Sequence, residues 1–323
     1  MEIIDTISNK PDVSVFMAAY NHEAYIAQAL DSILSQKFSG TYEICISDDC
    51  SKDNTCGIVK EYQSKYPNIH LNENKTNIGL SKNVYTVKTM CQGKYLINLS
   101  GDDYWIDDDK MQRQYDFMES HPDYLAVGTA IQVRADNETT PINVVPEQKY
   151  LGKDFTLEMF LEGHNMPTHG IMMKNVYHDP ELKDLFAIMP KMSPYIDDIT
   201  DELLIHMCGK AYIMPEETMV YRVRRQTKND NNFGSINKGM SFFEKHIVLM
   251  NNLADYFKEK IDLTNRYTEI IANGYLTAVN GKQLKEFNRI CATIPEAYQK
   301  RHVKQKSMVL VPGKLVNKLI QRI

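Results

Sequence analysis

A compact apolar run extends from Val13 to Ala19, and after a polar interval Tyr25, Ile26, Ala29, Leu30, Ile33 and Leu34 recur at the spacing of one helix face. The pattern predicts a strand followed by a helix. It then repeats: Tyr42 to Ser47 is strand-like, Ile58 to Tyr66 helical, Ile69 to Asn72 a short strand, Lys82 to Cys91 helical, and Tyr95 to Leu99 an apolar strand. Strands alternating with helices imply an α/β fold with a mostly parallel sheet and helices on both faces. A further helix is predicted from Asp109 to Ser120, closed by His121 and Pro122, and a further strand from Leu125 to Arg134.

Past Asp136 the character changes. Asn137 to Gln148, bearing Pro and Asn, reads as an exposed loop. A helix is expected around Phe155 to Glu162, a strand at Gly170 to Lys174, an acidic segment at Tyr195 to Glu202 leading into Leu203 to Met207, and a strand pair at Ala211 to Met214 and Thr218 to Arg222. From Met240 to Asn288 helical periodicity dominates.

The polar residues are placed selectively. Tyr20 and Asn21 follow the first strand, Asp48 and Asp49 the second, and Gly101, Asp102 and Asp103 the strand ending at Leu99. All fall at strand C-terminal ends, the edge of an open α/β sheet where ligands bind because loops diverge and helix N-termini face the crevice.

At 323 residues with 43% hydrophobic positions, the chain can bury a full core and a second subdomain, which excludes collagenous, low-complexity and wholly disordered readings. The net charge of −5 argues against a nucleic-acid partner, whose footprint would be basic. That charge is uneven: Lys300 to Ile323 holds seven Lys or Arg and no acid, so residues 1–299 carry −12. The first residues lack the apolar core of a secretory signal, and no stretch approaches a spanning helix, so a cytoplasmic location is expected. Six cysteines without metal-ligand spacing read as reduced thiols.

The runs VSVFMAAYN, ISDDCSKDNT, NIGLSKN and KYLINLSGDDYW, in this order and spacing, resemble the nucleotide-binding half of the inverting glycosyltransferases of family 2, which have the GT-A fold. The resemblance is close over roughly the first 130 residues, looser to about Arg225, and absent from the last 80 or so. It implies a Rossmann-like GT-A domain over residues 1–235, with a nucleotide-binding half at about 11–135 and an acceptor half at about 136–235. A helical region, 236–323, follows and ends in the basic tail.

By the same resemblance Tyr20, Asn21, Asp48 and Asp49 line the nucleotide crevice, Asp49 accepting a base N–H, while Ser51, Asp53 and Thr55 serve as turn and N-cap residues. Packing of Tyr20 against the core is the competing reading. Gly79 permits close backbone approach, and Lys82 stands where the family often has Arg near the diphosphate; a solvated helix lysine is the alternative. Departure of a diphosphate calls for a divalent cation, Mn²⁺ or Mg²⁺, which oxygen ligands hold. Asp102 is the expected metal ligand, with Asp103 as a second ligand or a ribose or acceptor contact. The family's Asp-x-Asp motif falls on Ser100, Gly101 and Asp102, so a hydroxyl replaces the first carboxylate and metal affinity is expected to weaken.

Inverting transfer needs a carboxylate to take the proton of the acceptor hydroxyl. In YIDDITDELLIHMCGKAYIM the resemblance places this base on Asp198, with Asp197 beside it on the acceptor side. Asp201 and Glu202, one turn on, would face the site under a slipped register, and acids that merely complement a helix N-terminus are the alternative. Arg224 stands where relatives often carry a His and suits diphosphate oxygens, and His169 is an expected acceptor contact.

These readings converge on a glycosyltransferase that moves a sugar from a nucleotide diphosphate sugar to a glycan or lipid-linked acceptor in cell-surface polysaccharide biosynthesis. The rival is a catalytically silent nucleotide-sugar or glycan-binding subunit, motivated by Ser100 and Arg224. The apolar stripe Leu315, Val316, Leu319, Ile320 and Ile323 beside the basic residues suits peripheral contact with the inner face of a membrane, or packing on the body or on a second copy in a homodimer.

Overall fold

The computed structural model describes residues 10–136, 138–223 and 239–299. A ten-stranded sheet runs through it in the order β3-β2-β1-β4-β9-β6-β10-β5, with β7 on β6 and β8 on β10. Its first half is parallel: β1 (Val13–Ala19) lies between β2 (Tyr42–Asp48) and β4 (Tyr95–Asn98), with β3 (Ile69–Glu73) outside β2. A central strand covered on both faces has no polar face to show, which explains the unbroken apolar run.

Alternate residues of β1 divide between two cores. Val13, Val15, Met17 and Ala19 pack with Ile26, Leu30 and Ile33 of α1 (Ile26–Leu34) and Met111 and Met118 of α4 (Lys110–Ser120). Phe16 joins the other core, with Val84 and Val87 of α3 (Leu80–Met90). The helix α2 (Thr55–Lys65) buries Val59 against the first core.

The second half of the sheet is mixed. The strand β9 (Met172–Lys174) enters antiparallel between β4 and β6 (Tyr124–Ala135), and β10 (Lys210–Val223) runs parallel to β6 and antiparallel to β5 (Tyr104–Trp105). Two short strands, β7 (Asn143–Val145) and β8 (Lys153–Phe155), complete it. The first lies inside the segment expected as a loop, and the second takes the start of the segment expected as a helix, leaving α5 (Leu157–Leu161). The strand pair expected at 211–214 and 218–222 is one strand, whose pairing with β6 shifts register around Met214, Glu217 and Met219. The extra residues, Pro215 among them, form a bulge instead of a turn, a place where a proline without an N–H is tolerated.

After the short helices α6 (Lys183–Phe186) and α7 (Met189–Met192), α8 (Asp198–Cys208) leads into β10. The C-terminal helices are α9 (Gly239–Phe257), α10 (Thr264–Asn280), α11 (Leu284–Cys291) and α12 (Glu296–Gln299). Their Phe243, Ile247 and Tyr267 share one core with Leu203 and Leu204 of α8 and Val84 of α3. Among the described residues no helix is long and apolar enough to cross a membrane.

The contact between α9 and α10 is set by Gly274: a Cβ there would lie 2.3 Å from Cδ2 of Phe243, whose ring stacks on Phe287 at 5.3 Å. Gly274→Ala is expected to lower the unfolding free energy by about 1–3 kcal/mol through overpacking, although alanine favours the helix itself by up to about 1 kcal/mol. Chemical denaturation measures this, and an unchanged or raised stability would show that the contact has room to spare.

Candidate functional site

The loops after β1 and β2 are laced together. The backbone N–H groups of Asn21, His22 and Glu23 donate to Ser51 Oγ (2.9 Å), Thr55 Oγ1 (2.7 Å) and Asp53 Oδ2 (3.0 Å). In return Lys52 N–H donates to Asn21 Oδ1 at 2.8 Å and Asn54 N–H to Glu23 Oε2 at 2.7 Å. Asn21 and Cys50 take left-handed conformations (φ 56° and 62°), which Asn tolerates better than most residues. The N-cap of α2 is Asn54, without a side-chain cap bond, so Ser51, Asp53 and Thr55, expected as turn and N-cap residues, do not cap the helix from that position; Asp53 accepts the Thr55 N–H at 3.0 Å, and all three bind across to the neighbouring loop.

Asp48 and Asp49 are buried at the end of β2. Asp48 accepts from the backbone N–H and the hydroxyl of Ser51. Asp49 accepts from Ile78 N–H at 2.7 Å on one oxygen and from Gly79 N–H at 2.9 Å on the other, which fastens the NIGLSKN loop to the sheet edge. Gly79 needs its lack of a side chain, with φ at 87°. A base N–H at Asp49 would therefore share lone pairs already in use.

In the loop after β4 a Cβ on Gly101 would lie 2.6 Å from His22 Nδ1, so glycine lets this loop sit against the imidazole. Asp103, 1% exposed, accepts the Arg222 backbone N–H at 2.8 Å. The Arg222 guanidinium returns the contact: Nε donates to the Asp102 carbonyl (2.8 Å), Nη2 to Gln28 Oε1 (2.7 Å), and Nη1 pairs with Asp136 (3.2 Å). It lies over the rings of Tyr25 and Tyr104 at 4.8 and 5.0 Å. The Asp102 side chain stays 24% exposed, its Oδ1 3.9 Å from His22 Nε2.

A cavity of about 300 Å³ brings Ser100, Asp102 and Asp103 together with His169, Asp197 and Asp198. Asp197 and Asp198 open α8, and Asp198 Oδ1 accepts the Ile199 N–H at 2.9 Å. Burial, then the neighbouring Asp198 charge, pushes the Asp197 carboxyl up to about 7, against the pull of Lys88. Burial holds the His169 imidazole below its ordinary value, while Asp198 and Asp102 act in the opposite direction. Neutral imidazole is therefore favoured between two acids.

The other acids of α8 are held by partners. Asp201, on the wall of the same cavity, forms a buried ion pair with Lys88, 7% and 2% exposed, and the Lys88 ammonium lies 5.1 Å from the Phe16 ring centroid. Glu202, 1% exposed, accepts the Met166 N–H at 2.5 Å. This register puts Asp197, Asp198 and the Asp201–Lys88 pair on the cleft wall and Glu202 behind it.

Tyr20, Asn21, Asp48, Asp49, Lys82 and Gly101 do not line this cavity. They belong to the adjoining loops and, for exposed Lys82, to α3. Arg224, Arg225, the loop to residue 238 and the basic tail lie outside the described residues. Three participants escaped the reading of the chain. His22 follows the quoted VSVFMAAYN run, Arg222 precedes Arg224 by two positions, and Lys88 sits with Val84 and Val87 on the buried face of α3, where a lysine is itself a signal.

The donor set suits a hard cation that keeps water and takes its other ligands from diphosphate oxygens: one accessible carboxylate, Asp102, with the Ser100 hydroxyl in the same cavity. Among the described residues no three His, Cys, Asp or Glu side chains group into an all-protein metal cluster.

A family model described as Glycosyl transferase family 2 matches residues 14–178, just over half of the chain. An uncharacterized protein of Mycobacterium tuberculosis (strain ATCC 25618 / H37Rv) is 27% identical over 216 residues, covering 65% of this chain and 58% of that protein. The chain thus spans less than two thirds of that relative's length. The solved structure of Staphylococcus aureus TarS 1–349 in complex with UDP-GlcNAc aligns with a TM-score of 0.61 at 16% identity, covering 89% of this chain and 83% of that one. The mannosyltransferase PcManGT from Pyrobaculum calidifontis, in complex with GDP-Man and Mn²⁺, aligns at 0.51 with 13% identity, covering 98% and 84%. At such identities the likeness is one of fold, and that fold is GT-A.

Two outcomes are expected. A carboxyl raised from 3.8 to about 7 makes a contribution to stability that is present below pH 3.8 and lost as pH rises through 7. In metal-free protein the melting temperature should therefore fall between about pH 4 and pH 7 more steeply for the wild type than for Asp197→Asn. Parallel pH profiles would refute the raised value. Arg222→Met, which leaves Asp136 without its cation, should cost about 3–5 kcal/mol in a denaturant titration, and Lys at 222 should recover only part because it lacks the fork.

Proposed function

The chain belongs to glycosyltransferase family 2, and on that premise we propose that it transfers a sugar from a nucleotide diphosphate sugar to a glycan or lipid-linked acceptor by a single, inverting displacement. The observation that carries this reading is the meeting of Asp102 and Asp198, remote in the chain, on the walls of one cavity. The acceptor hydroxyl attacks the anomeric carbon; its proton passes to Asp198, and the electron pair of the breaking C–O bond leaves with the diphosphate. A proton retained on Asp197 reduces like-charge repulsion beside the base.

Asp102, with Ser100 nearby, would hold Mn²⁺ or Mg²⁺, which supplies charge neutralisation for the diphosphate when bound. The lacing of the loops after β1 and β2 fixes the donor side, and the Arg222 contacts fix Asp102 against it. Such prior alignment is where much of the rate comes from.

TarS, a poly(ribitol-phosphate) beta-N-acetylglucosaminyltransferase of Staphylococcus aureus, is 32% identical over 110 residues, 33% of this chain and 19% of that protein. It supports a nucleotide-sugar donor and a place in cell-surface polysaccharide assembly. On this reading residues 11–135 hold the donor and 136–235 the acceptor, and Arg224, outside the described residues, is the candidate for the diphosphate oxygens. The acceptor is met at the cytoplasmic face, where the basic stretch from Lys300 to Ile323 would lie against anionic lipid.

Asp198→Asn should lower the turnover of a hydrolysed nucleotide sugar about 10²–10⁴-fold in the presence of Mn²⁺. Binding of the nucleoside diphosphate, followed by calorimetry, should stay within about twofold because Asp198 acts on the acceptor side. Undiminished turnover, or loss of nucleotide binding in its place, would overturn the assignment.

A further inference from the structure

Asp198 is a wall shared by two cavities. Behind the cleft lies a second cavity, of about 180 Å³, lined by Asn165, Ile196, Asp198, Glu202, Phe242 and His246 among others. A third cavity, of about 170 Å³, shares Asn165, Ile199, Phe242 and His246 with the second and is lined on its far side by Arg266, Glu269, Asn273 and Thr277 of α10. A row of adjoining cavities, taken together as one groove, thus runs from the proposed base to the C-terminal helices, which lie beyond the 14–178 region that the family model matches.

The groove carries an unsatisfied group. Arg266 is 3% exposed, yet its Nε and Nη1 have no hydrogen-bond partner. Its guanidinium carbon lies over the Phe160 ring, 4.3 Å from the centroid, and the nearest carboxylate oxygen, Glu269 Oε2, stands 4.0 Å from Nη1. Buried guanidinium N–H groups without acceptors are costly, and an acceptor that arrives with a ligand removes the cost. Gly163, at φ 99°, faces the same carboxylate: a Cβ there would lie 2.4 Å from Glu269 Oε2.

The chemistry of the wall selects the ligand. Glu269 faces the guanidinium at 4.0 Å, and burial pushes the Glu202 carboxyl well up toward its neutral form, so the wall carries little net charge with which to select an ion. Hydroxyl groups fit, because each can accept from Arg266 or an amide and donate to Glu269. Asn165, Asn273 and Thr277 add further donors and acceptors, and Phe242 adds an aromatic surface. We infer that this groove is an acceptor subsite that seats a neutral sugar unit adjoining the one whose hydroxyl reacts at Asp198, so that the C-terminal helices read the acceptor chain.

The inference rests on the transferase reading of Asp198, and its test separates the two. Asn273 is exposed, so Asn273→Trp fills the mouth of the groove without entering the core; Glu269→Gln removes a carboxylate without changing volume. The labelled full chain is applied to an array of oligosaccharides and of their single-sugar counterparts. Wild type should bind glycans of two or more units and bind single sugars more weakly by about tenfold. Asn273→Trp and Glu269→Gln should each lose about tenfold of that binding with Mn²⁺-dependent release of nucleoside diphosphate from donor unchanged; the melting temperature should hold for Asn273→Trp and fall for Glu269→Gln, which takes the nearest carboxylate from Arg266, while Asp198→Asn retains array binding and loses release. Absence of glycan binding by the wild type, or unaltered binding by Asn273→Trp, would overturn the subsite. Array binding that depends on Asn273 alongside donor release indifferent to Asp198→Asn would keep the subsite and sink the transferase role of Asp198.

Discussion

The geometry of the cleft depends on one half-buried cation, the guanidinium of Arg222. Strand β10 returns it to the loop after β4, where it bonds the Asp102 carbonyl, pairs with Asp136 at the end of β6, and reaches Gln28 on α1. Tyr25 adds a hydroxyl bond to the same Asp136 at 3.0 Å. A planar cation with five donors in a fixed fork can reach acceptors spread along its length and around its end, whereas an ammonium gathers its acceptors about a single nitrogen. The backbone at residue 222 meanwhile donates to Asp103, so the side chain and the main chain of one residue hold two successive acids. The turn carrying Asp102 is thereby tied to three elements that the sequence separates widely: α1, the end of β6 and β10.

Electrostatics decides which acids of α8 are free to act. Four carboxyl groups open this helix, where the helix dipole favours negative charge, but a dipole worth a fraction of one charge cannot hold four in a buried setting. Each is handled differently. Lys88 neutralises Asp201 from the neighbouring helix, and Glu202 takes a backbone N–H under heavy burial. Asp197 is raised toward the neutral form, which leaves Asp198 with a partly exposed carboxylate at the cavity. The selectivity lies in long-range partners, not in the local spacing of the acids.

That division explains what could be read from the chain. The parallel half of the sheet was legible because β1 to β4 are buried on both faces and so appear as apolar runs between amphipathic helices. The register that puts Asp198 in the cleft was legible from the acidic pair and the distance to Gly209. By contrast, β10 read as two strands because Pro215 and its acidic neighbours look like a turn, and only pairing with β6 carries the strand through them. The short β8 was hidden because its contribution is a few residues on the edge of β10. Asp49 looked like a ligand for an incoming base, yet its carboxylate closes a loop 30 residues on, an interaction with no local signature. Lys88 was the missed opportunity: a charged residue at a buried helical position demands a partner.

Ser100 shows how these constraints bear on chemistry. With a hydroxyl at the first position of the motif and one Asp103 oxygen engaged by Arg222, the accessible negative charge on the donor side rests largely on Asp102. Fewer carboxylates hold a divalent cation less tightly in the empty cleft. On the proposed reading they would also repel an incoming diphosphate less, so that a cation and the donor would gain most by binding together. The cleft therefore relies on position more than on charge, and position is what Arg222 and the laced loops provide.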